Sequence, residues 1–330
     1  MRKFIVMAGL LLMSALQAFG QGGRTSSDNG GYDLTPFKMA IRDPFIVTDH
    51  DNGCYWLMCP KTVNGVFGLS VYKSLNLERW KWVPSGNVFN IPDGWLGKKD
   101  FWAPDFYFYR GSWWCFFTIA PETGVRGVTI WKGGSHPTDP YSPVLPPDRL
   151  CYTPENQYCI DGSLYVDDRG TPYLLWSHEF IDTDDGDGVM YAVRMKKDLS
   201  GTSGRPFRLF SASGARGVVP AGTNQMNGRK QYVTDAPFVW KDEESGNLIM
   251  IWSSMTAGGY GILQAISPSG KIDGPWELDN PPVFTNKGGH AHIFRDLNGK
   301  LRIVFFRKKQ GKTQVCIKPL FIEDGKILPL

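Results

Sequence analysis

Apolar residues in this chain come in short runs broken by turn residues, and one arrangement of them recurs five times. A polar or ring-bearing residue leads into a β-type run, a tight turn follows, and a second apolar strand completes the unit. The units open at Asp43 (DPFIVTDHDNGCYWLMCP), Trp102 (WAPDFYFYRGSWWCFFTIA), Asp161 (DGSLYVDDRGTPYLLWSH), Asp235 (DAPFVWKDEESGNLIMIWSS) and His290 (HAHIFRDLNGKLRIVFFRK). Asp51-Asn52-Gly53, Arg110-Gly111, Asp168-Arg169-Gly170, Ser245-Gly246-Asn247 and Leu297-Asn298-Gly299 supply the hairpin turns. Successive openings lie 59, 59, 74 and 55 residues apart, room for about four strands each and therefore the size of a propeller blade. The pattern predicts an all-β fold, a five-bladed β-propeller forming a single domain over residues 32–330. A β-sandwich with coincidentally similar hairpins is the alternative.

The N-terminus departs from this pattern. Arg2 and Lys3 precede an apolar run over residues 4–16, and Ala18-Phe19-Gly20 offers a small-residue cleavage site, so residues 1–20 read as an export signal. The run is too short to span a bilayer comfortably, and no later stretch reaches the 18 or so apolar residues that a span needs. Residues 21–31, rich in Gly, Ser, Asn and Asp, read as a flexible lead-in. The expected location is periplasmic or extracellular.

Composition narrows the partners. The net charge of +4 falls to about +2 once Arg2 and Lys3 are removed, and the densest basic run, Arg307-Lys308-Lys309 with Lys312, is short and lacks interleaved aromatics. A nucleic-acid partner is not expected. The six cysteines include no CxxC pair, which speaks against a zinc or redox motif; Cys151 and Cys159 are the best-placed pair for a disulfide. The acidic stretch over residues 182–188 fails the calcium-loop pattern and reads as a solvated turn close to the pocket rim.

Propeller geometry carries the pattern to chemistry. Each blade's innermost strand runs along the axis, so Asp43, Trp102, Asp161, Asp235 and His290 are expected to converge at one end of the channel. The second strand returns to that face and brings Glu179 close. Carboxylates gathered beside aromatic rings suit glycosidic-bond cleavage, in which one acid protonates the leaving oxygen and a second group handles water or the anomeric carbon. Like charges brought together raise at least one pKa and so keep a proton available.

The openings Ile41-Arg42-Asp43-Pro44-Phe45, Phe101-Trp102-Ala103-Pro104-Asp105, Ile160-Asp161-Gly162-Ser163-Leu164, Thr234-Asp235-Ala236-Pro237-Phe238 and Gly289-His290-Ala291 resemble, in order, those of glycoside hydrolase family 43. The resemblance covers about residues 40–310. It implies a propeller enzyme that inverts the anomeric centre, with Asp43 as the base that activates water and Asp161 as the residue that orients the acid. The blade-four Glu usual for the family is here Asp235, one methylene shorter, so the acid is either Asp235 or Glu179. His290 resembles the family's axial histidine, which implies a structural calcium or sodium ion on the axis as one reading and a plain hydrogen-bonding role as the other; no organic cofactor is expected. Arg42, Phe101, Trp102 and Asp105 are expected to bind substrate, with Trp95 and Glu155 as further candidates at the pocket.

The expected function is release of terminal sugars from plant-type oligosaccharides or polysaccharides by a monomeric enzyme, with α-L-arabinofuranosides first and β-xylosides or β-galactosides second. A non-catalytic glycan-binding propeller and a retaining fructosidase-like propeller are the alternatives.

Overall fold

The computed structural model describes residues 34–63, 66–84 and 88–330. The expected export signal and the lead-in over residues 21–31 lie outside these. Five blade sheets follow one another along the described residues, each built of neighbouring antiparallel strands, with two small two-stranded sheets besides, Gly222–Thr223 with Lys230–Gln231 and Ile322–Glu323 with Lys326–Ile327. Blade 1 comprises Phe45–Asp49, Cys54–Val63, Val66–Ser74 and Trp80–Val83; blade 2 comprises Gly97–Tyr109, Ser112–Pro121, Gly127–Lys132 and Ser142–Pro143. Cys159–Val166, Pro172–His178, Val189–Arg194 and Phe207–Ser211 make blade 3. Blade 4 has three strands, Asp235–Lys241, Leu248–Thr256 and Gly259–Ser267, and blade 5 has Gly288–Arg295, Leu301–Lys309 and Lys312–Pro319. The five-bladed β-propeller expected from the repeats is the observed fold.

The second strand of each blade reads as a continuous apolar run, and the packing shows why. Both faces of such a strand are covered by neighbouring blades, so successive side chains enter different cores. Phe116 and Leu174 meet between blades 2 and 3, whereas their neighbours Phe117 and Leu175 face blade 1 and blade 4 respectively. Met250 and Trp252 pack towards blade 3, and Ile249 and Ile251 pack towards blade 5. Five apolar clusters result, one at each seam, and the last joins Phe294, Val304 and Val315 of blade 5 to Ile46 and Leu57 of blade 1. That closing seam is pinned by side chains: Thr48 Oγ1 donates to the Arg295 carbonyl at 2.6 Å, and the Tyr55 hydroxyl accepts the Leu297 N–H at 2.9 Å.

Close packing leaves no room for side chains at certain points of seam contact. A Cβ added to Gly162 would lie 2.1 Å from Cγ1 of Val128, so blade 3 approaches blade 2 only because this position is glycine. All six thiols are free. The expected Cys151–Cys159 bridge is therefore absent: Cys159 is buried in the opening strand of blade 3, and Cys151 lies with its thiol 4.0 Å from the Ile119 carbonyl.

Candidate active site

The site is built by a left-handed residue at the start of every blade, which in four of the blades sits in a bulge. In blades 2 to 5 the inner strand carries one extra residue between Trp102 and Asp105, Ile160 and Ser163, Asp235 and Phe238, and Gly289 and His292. Such bulges bend a strand and re-aim the side chains beside it. Asp43, Ala103, Asp161, Ala236 and His290 all adopt left-handed backbone, with φ between 48° and 56°. Non-glycine residues rarely do so, and the conformation costs on the order of 1 kcal/mol apiece.

This alignment corrects the ring expected from sequence. Trp102 and Asp235 stand one residue before the bulge position that Asp43, Asp161 and His290 occupy, and the bulge positions of blades 2 and 4 are filled by Ala103 and Ala236. One residue of offset changes which way a strand side chain faces. The sequence pattern placed an acid and an indole on the ring itself; the fold places alanines there and holds Trp102 and Asp235 beside it.

Asp43, Asp161 and His290 nevertheless meet. His290 Nδ1 is 3.5 Å from Asp43 Oδ1 and 3.9 Å from Asp161 Oδ2. Burial lowers the imidazole below its ordinary value, with the Asp43 carboxylate pulling the other way. The His290 backbone N–H is held by Ser253 Oγ at 2.9 Å. Asp161 is only 8% exposed; its backbone N–H donates to Thr118 Oγ1 at 2.9 Å, and its Oδ2 accepts the Ala236 N–H at 2.9 Å. Burial, then the charges of Asp235 and Asp43, push its carboxyl well above the usual carboxylate range.

Asp235 is reached from the side. The Tyr260 hydroxyl donates to its Oδ2 at 2.8 Å. Burial pushes the Asp235 carboxyl up to about 6, and Asp43 adds to this, while Tyr260 and Arg42 act in the opposite direction. Glu179 follows the second strand of blade 3, is 4% exposed, and accepts Arg126 Nε at 2.9 Å. Burial pushes its carboxyl up to about 8 against the pull of the Arg126 guanidinium. Arg126 also stands 3.4 Å from Asp100, and its guanidinium lies 4.7 Å from the Trp102 ring centroid and 5.1 Å from that of Tyr158. Trp102 thus presents one face to a cation.

The remaining expected binders divide. Arg42 is exposed beside Asp43, with its guanidinium 5.2 Å from the Phe306 ring centroid. Glu155 is exposed in the segment leading into blade 3. Phe101 is a correction: it is 7% exposed and stacks on Phe67 at 5.4 Å and against Phe117 at 4.8 Å, so it belongs to the core between blades 1 and 2. Trp95, 3% exposed, lies in the same core. Asp105 falls after the bulge and points into the axial cavity with His292 and Phe238, where Tyr107 donates to it at 2.9 Å. Burial pushes its carboxyl well above the usual range.

The acidic loop is more structural than a solvated turn. Asp187 is buried and accepts Ser213 Oγ at 2.5 Å, and Asp182 accepts the Tyr158 N–H at 3.0 Å. Among the described residues no three His, Cys, Asp or Glu side chains converge as an ion cage. The His290 ring is directed at the Asp43 and Asp161 carboxylates.

Sequence reasoning missed Arg126, Tyr158, Tyr260 and Ser253. Arg126 lies in a loop between strands, and Tyr260 opens a third strand after Gly258-Gly259. Only the first two strands of each repeat carry a recognisable pattern, so neither residue had a signal to find.

A five-bladed propeller with three carboxylates and an imidazole at one end of its axis, flanked by an indole, defines a glycosidase-type site. The model of the family described as "Glycosyl hydrolases family 43" matches residues 36–327. The chain belongs to this family and is a glycoside hydrolase. The fold matches the crystal structure of an endo-arabinase from Bacteroides thetaiotaomicron with a TM-score of 0.79 and 36% identity, covering 90% of this chain and 99% of that one. A thermostable family-43 glycoside hydrolase matches with a TM-score of 0.69 at 22% identity, over 87% of this chain and 92% of the other. In sequence, 23% identity over 248 residues relates the chain to an extracellular exo-α-(1→5)-L-arabinofuranosidase of Streptomyces chartreusis, covering 72% of this chain and 68% of that protein.

Proposed function

We propose that this enzyme hydrolyses α-L-arabinofuranosidic bonds with inversion, releasing terminal arabinose, and that it acts after export directed by residues 1–20. Two relatives named for arabinose-releasing activities, one endo-acting and one exo-acting, support the sugar. Asp43 is the general base: it deprotonates a water that attacks the anomeric carbon. Asp235 is the general acid: it gives its proton to the glycosidic oxygen as the bond breaks. Asp161 orients the acid, and Trp102 with Arg126 and Glu179 forms a wall for the sugar.

The observation that carries the acid assignment is the bond from the Ala236 N–H to Asp161 Oδ2 at 2.9 Å. It ties the buried blade-three carboxylate to the residue next to Asp235, so Asp161 fixes where the Asp235 carboxyl stands. Burial, with Asp43's charge adding to it, raises Asp235, which keeps a proton available there. Glu179 has one oxygen committed to Arg126.

The test is a panel of Asp43→Asn, Glu179→Gln and Asp235→Asn assayed on arabino-oligosaccharides, with the anomer first released read by NMR. Asp43→Asn and Asp235→Asn are expected to lose at least about 10²-fold in kcat, the usual range for losing an acid or base. Glu179→Gln is expected to raise KM with a smaller change in kcat. Retention of activity by Asp235→Asn beside an inactive Glu179→Gln would move the acid to blade three. Release of the retained anomer would discard inversion.

A further inference from the structure

Tyr260 is placed with unusual constraint for a residue with no recognised role. It opens the third strand of blade 4 and lies flat against Phe306, with centroids 5.9 Å apart and planes 19° apart; the Arg42 guanidinium covers that same Phe306 ring at 5.2 Å. The ring also lies over Gly289, the cross-strand partner of Phe306 and the residue of blade 5 that aligns with Asp235 of blade 4. A Cβ there would stand 2.3 Å from Tyr260 Cε1 and 2.7 Å from Cδ1, so the ring occupies space that only glycine leaves free. The hydroxyl ends 2.8 Å from Asp235 Oδ2.

We propose that Tyr260 is a positioning residue that decides which oxygen of Asp235 carries the catalytic proton. The inference rests on the reading of Asp235 as the acid. Burial, then the charges of Asp235 and Asp161, oppose ionisation of the phenol, so Tyr260 stays a donor through the cycle. A donated hydrogen bond occupies Oδ2, and the proton of the neutral carboxyl is left on Oδ1. In the reaction the Oδ1–H bond breaks as the leaving oxygen takes the proton, and water's proton passes to Asp43. Oδ2 then keeps its bond from Tyr260 and helps to hold the anion. An aspartate one methylene shorter than the glutamate implied by the family resemblance has little freedom to present the wrong oxygen, provided something holds it, and the phenol does so.

The experiment compares Tyr260→Phe with wild type and Asp235→Asn across pH, on an arabino-oligosaccharide and on a 4-nitrophenyl arabinofuranoside. The nitrophenolate leaving group needs little proton assistance. Tyr260→Phe keeps the ring and its stacking but removes the donor to the anion. The alkaline limb of kcat/KM is therefore expected to move up by about one pH unit, since a hydrogen bond to a charged group is of that size. kcat is expected to fall about tenfold on the oligosaccharide and by less than about threefold on the nitrophenyl substrate. Gly289→Ala, which pushes the ring off Asp235 without removing its hydroxyl, is expected to show the same shift and decides the matter if Tyr260→Phe does not fold.

An unshifted alkaline limb with equal losses on both substrates would overturn the role of Tyr260, provided Asp235→Asn shows strong leaving-group dependence. An Asp235→Asn enzyme that treats the two substrates alike would instead overturn the acid assignment beneath it.

Discussion

Replacing Asp235 by Asn is expected to make the protein more stable as well as inactive, and only over part of the pH range. Burial and the nearby Asp43 charge raise this carboxyl from its ordinary 3.8 to about 6. Because the folded value lies above the unfolded one, the native state binds more protons than the unfolded state between those pH values. Stability contributed by this group is thus full below about pH 4 and falls as pH rises to about 6. A shift of roughly two units at about 1.36 kcal/mol each amounts to a penalty on the order of 2–3 kcal/mol at neutral pH. Asn carries no charge and can still accept the Tyr260 hydroxyl, so it removes the penalty while keeping the bond. With roughly 300 ordered residues at about 2.1 cal/mol/K each, the unfolding entropy is about 0.6 kcal/mol/K, and the gain corresponds to about 4 °C in Tm. Calorimetry at pH 7.5 and pH 4 on both proteins is the assay. A variant that melts at or below wild type at pH 7.5, or whose gain is as large at pH 4, would refute the account, since neither fits a buried charge as the source of strain.

Two further substitutions test the surroundings. Arg126→Ala leaves Glu179 buried without its partner and strips the cation from the Trp102 face; stability is expected to fall by about 3 kcal/mol at pH 9, with a smaller loss at pH 6 where the carboxyl can be neutral. Urea melts whose deficit does not grow between those two pH values would argue against it. Gly162→Ala forces a methyl into Val128 across the seam between blades 2 and 3, at an expected cost of about 1–3 kcal/mol, and Val128→Ala in the same chain should recover part of it. No loss in the single variant, by thermal melt, would show that the seam can open.

The hairpins were legible because their turn residues are local signals, and the apolar second strands because burial on both faces leaves no polar positions in them. Convergence of Asp43, Asp161 and His290 followed once the number of blades was known, since propeller geometry alone brings equivalent positions to one axis. The one-residue offset of Trp102 and Asp235 was not legible. It depends on where each strand accommodates its extra residue, and Ala103 and Ala236 give no hint in sequence that they adopt left-handed backbone. Phe101 misled for the same reason: counted from the bulge, it faces the seam rather than the channel. Arg126 and Tyr260 reach the site from segments outside the repeat, and only the folded arrangement of blades relates them to Glu179 and Asp235.

The bulge explains how one repeated strand supplies groups with different duties. Counted from the left-handed residue of each blade, residues one place before it (Arg42, Trp102, Ile160, Asp235, Gly289), at it (Asp43, Ala103, Asp161, Ala236, His290) and two places after it (Phe45, Asp105, Ser163, Phe238, His292) are successive positions along the inner strands. Inversion needs its two carboxyls about 6.5–9.5 Å apart, with water on one side of the sugar and the proton donor on the other. In the assignment proposed above, the base comes from the left-handed position of blade 1 and the acid from the place before it in blade 4. The small residues Ala103, Ala236 and Gly289 fill the equivalent places that would otherwise crowd the ring. Left-handed backbone at five positions is costly, yet each bulge is clamped by seams packed on both sides, as where Thr118 and Ser253 hold the backbone N–H groups of Asp161 and His290. Strain of this kind persists only where the surrounding structure over-determines it, and the five apolar seams are what make it affordable here.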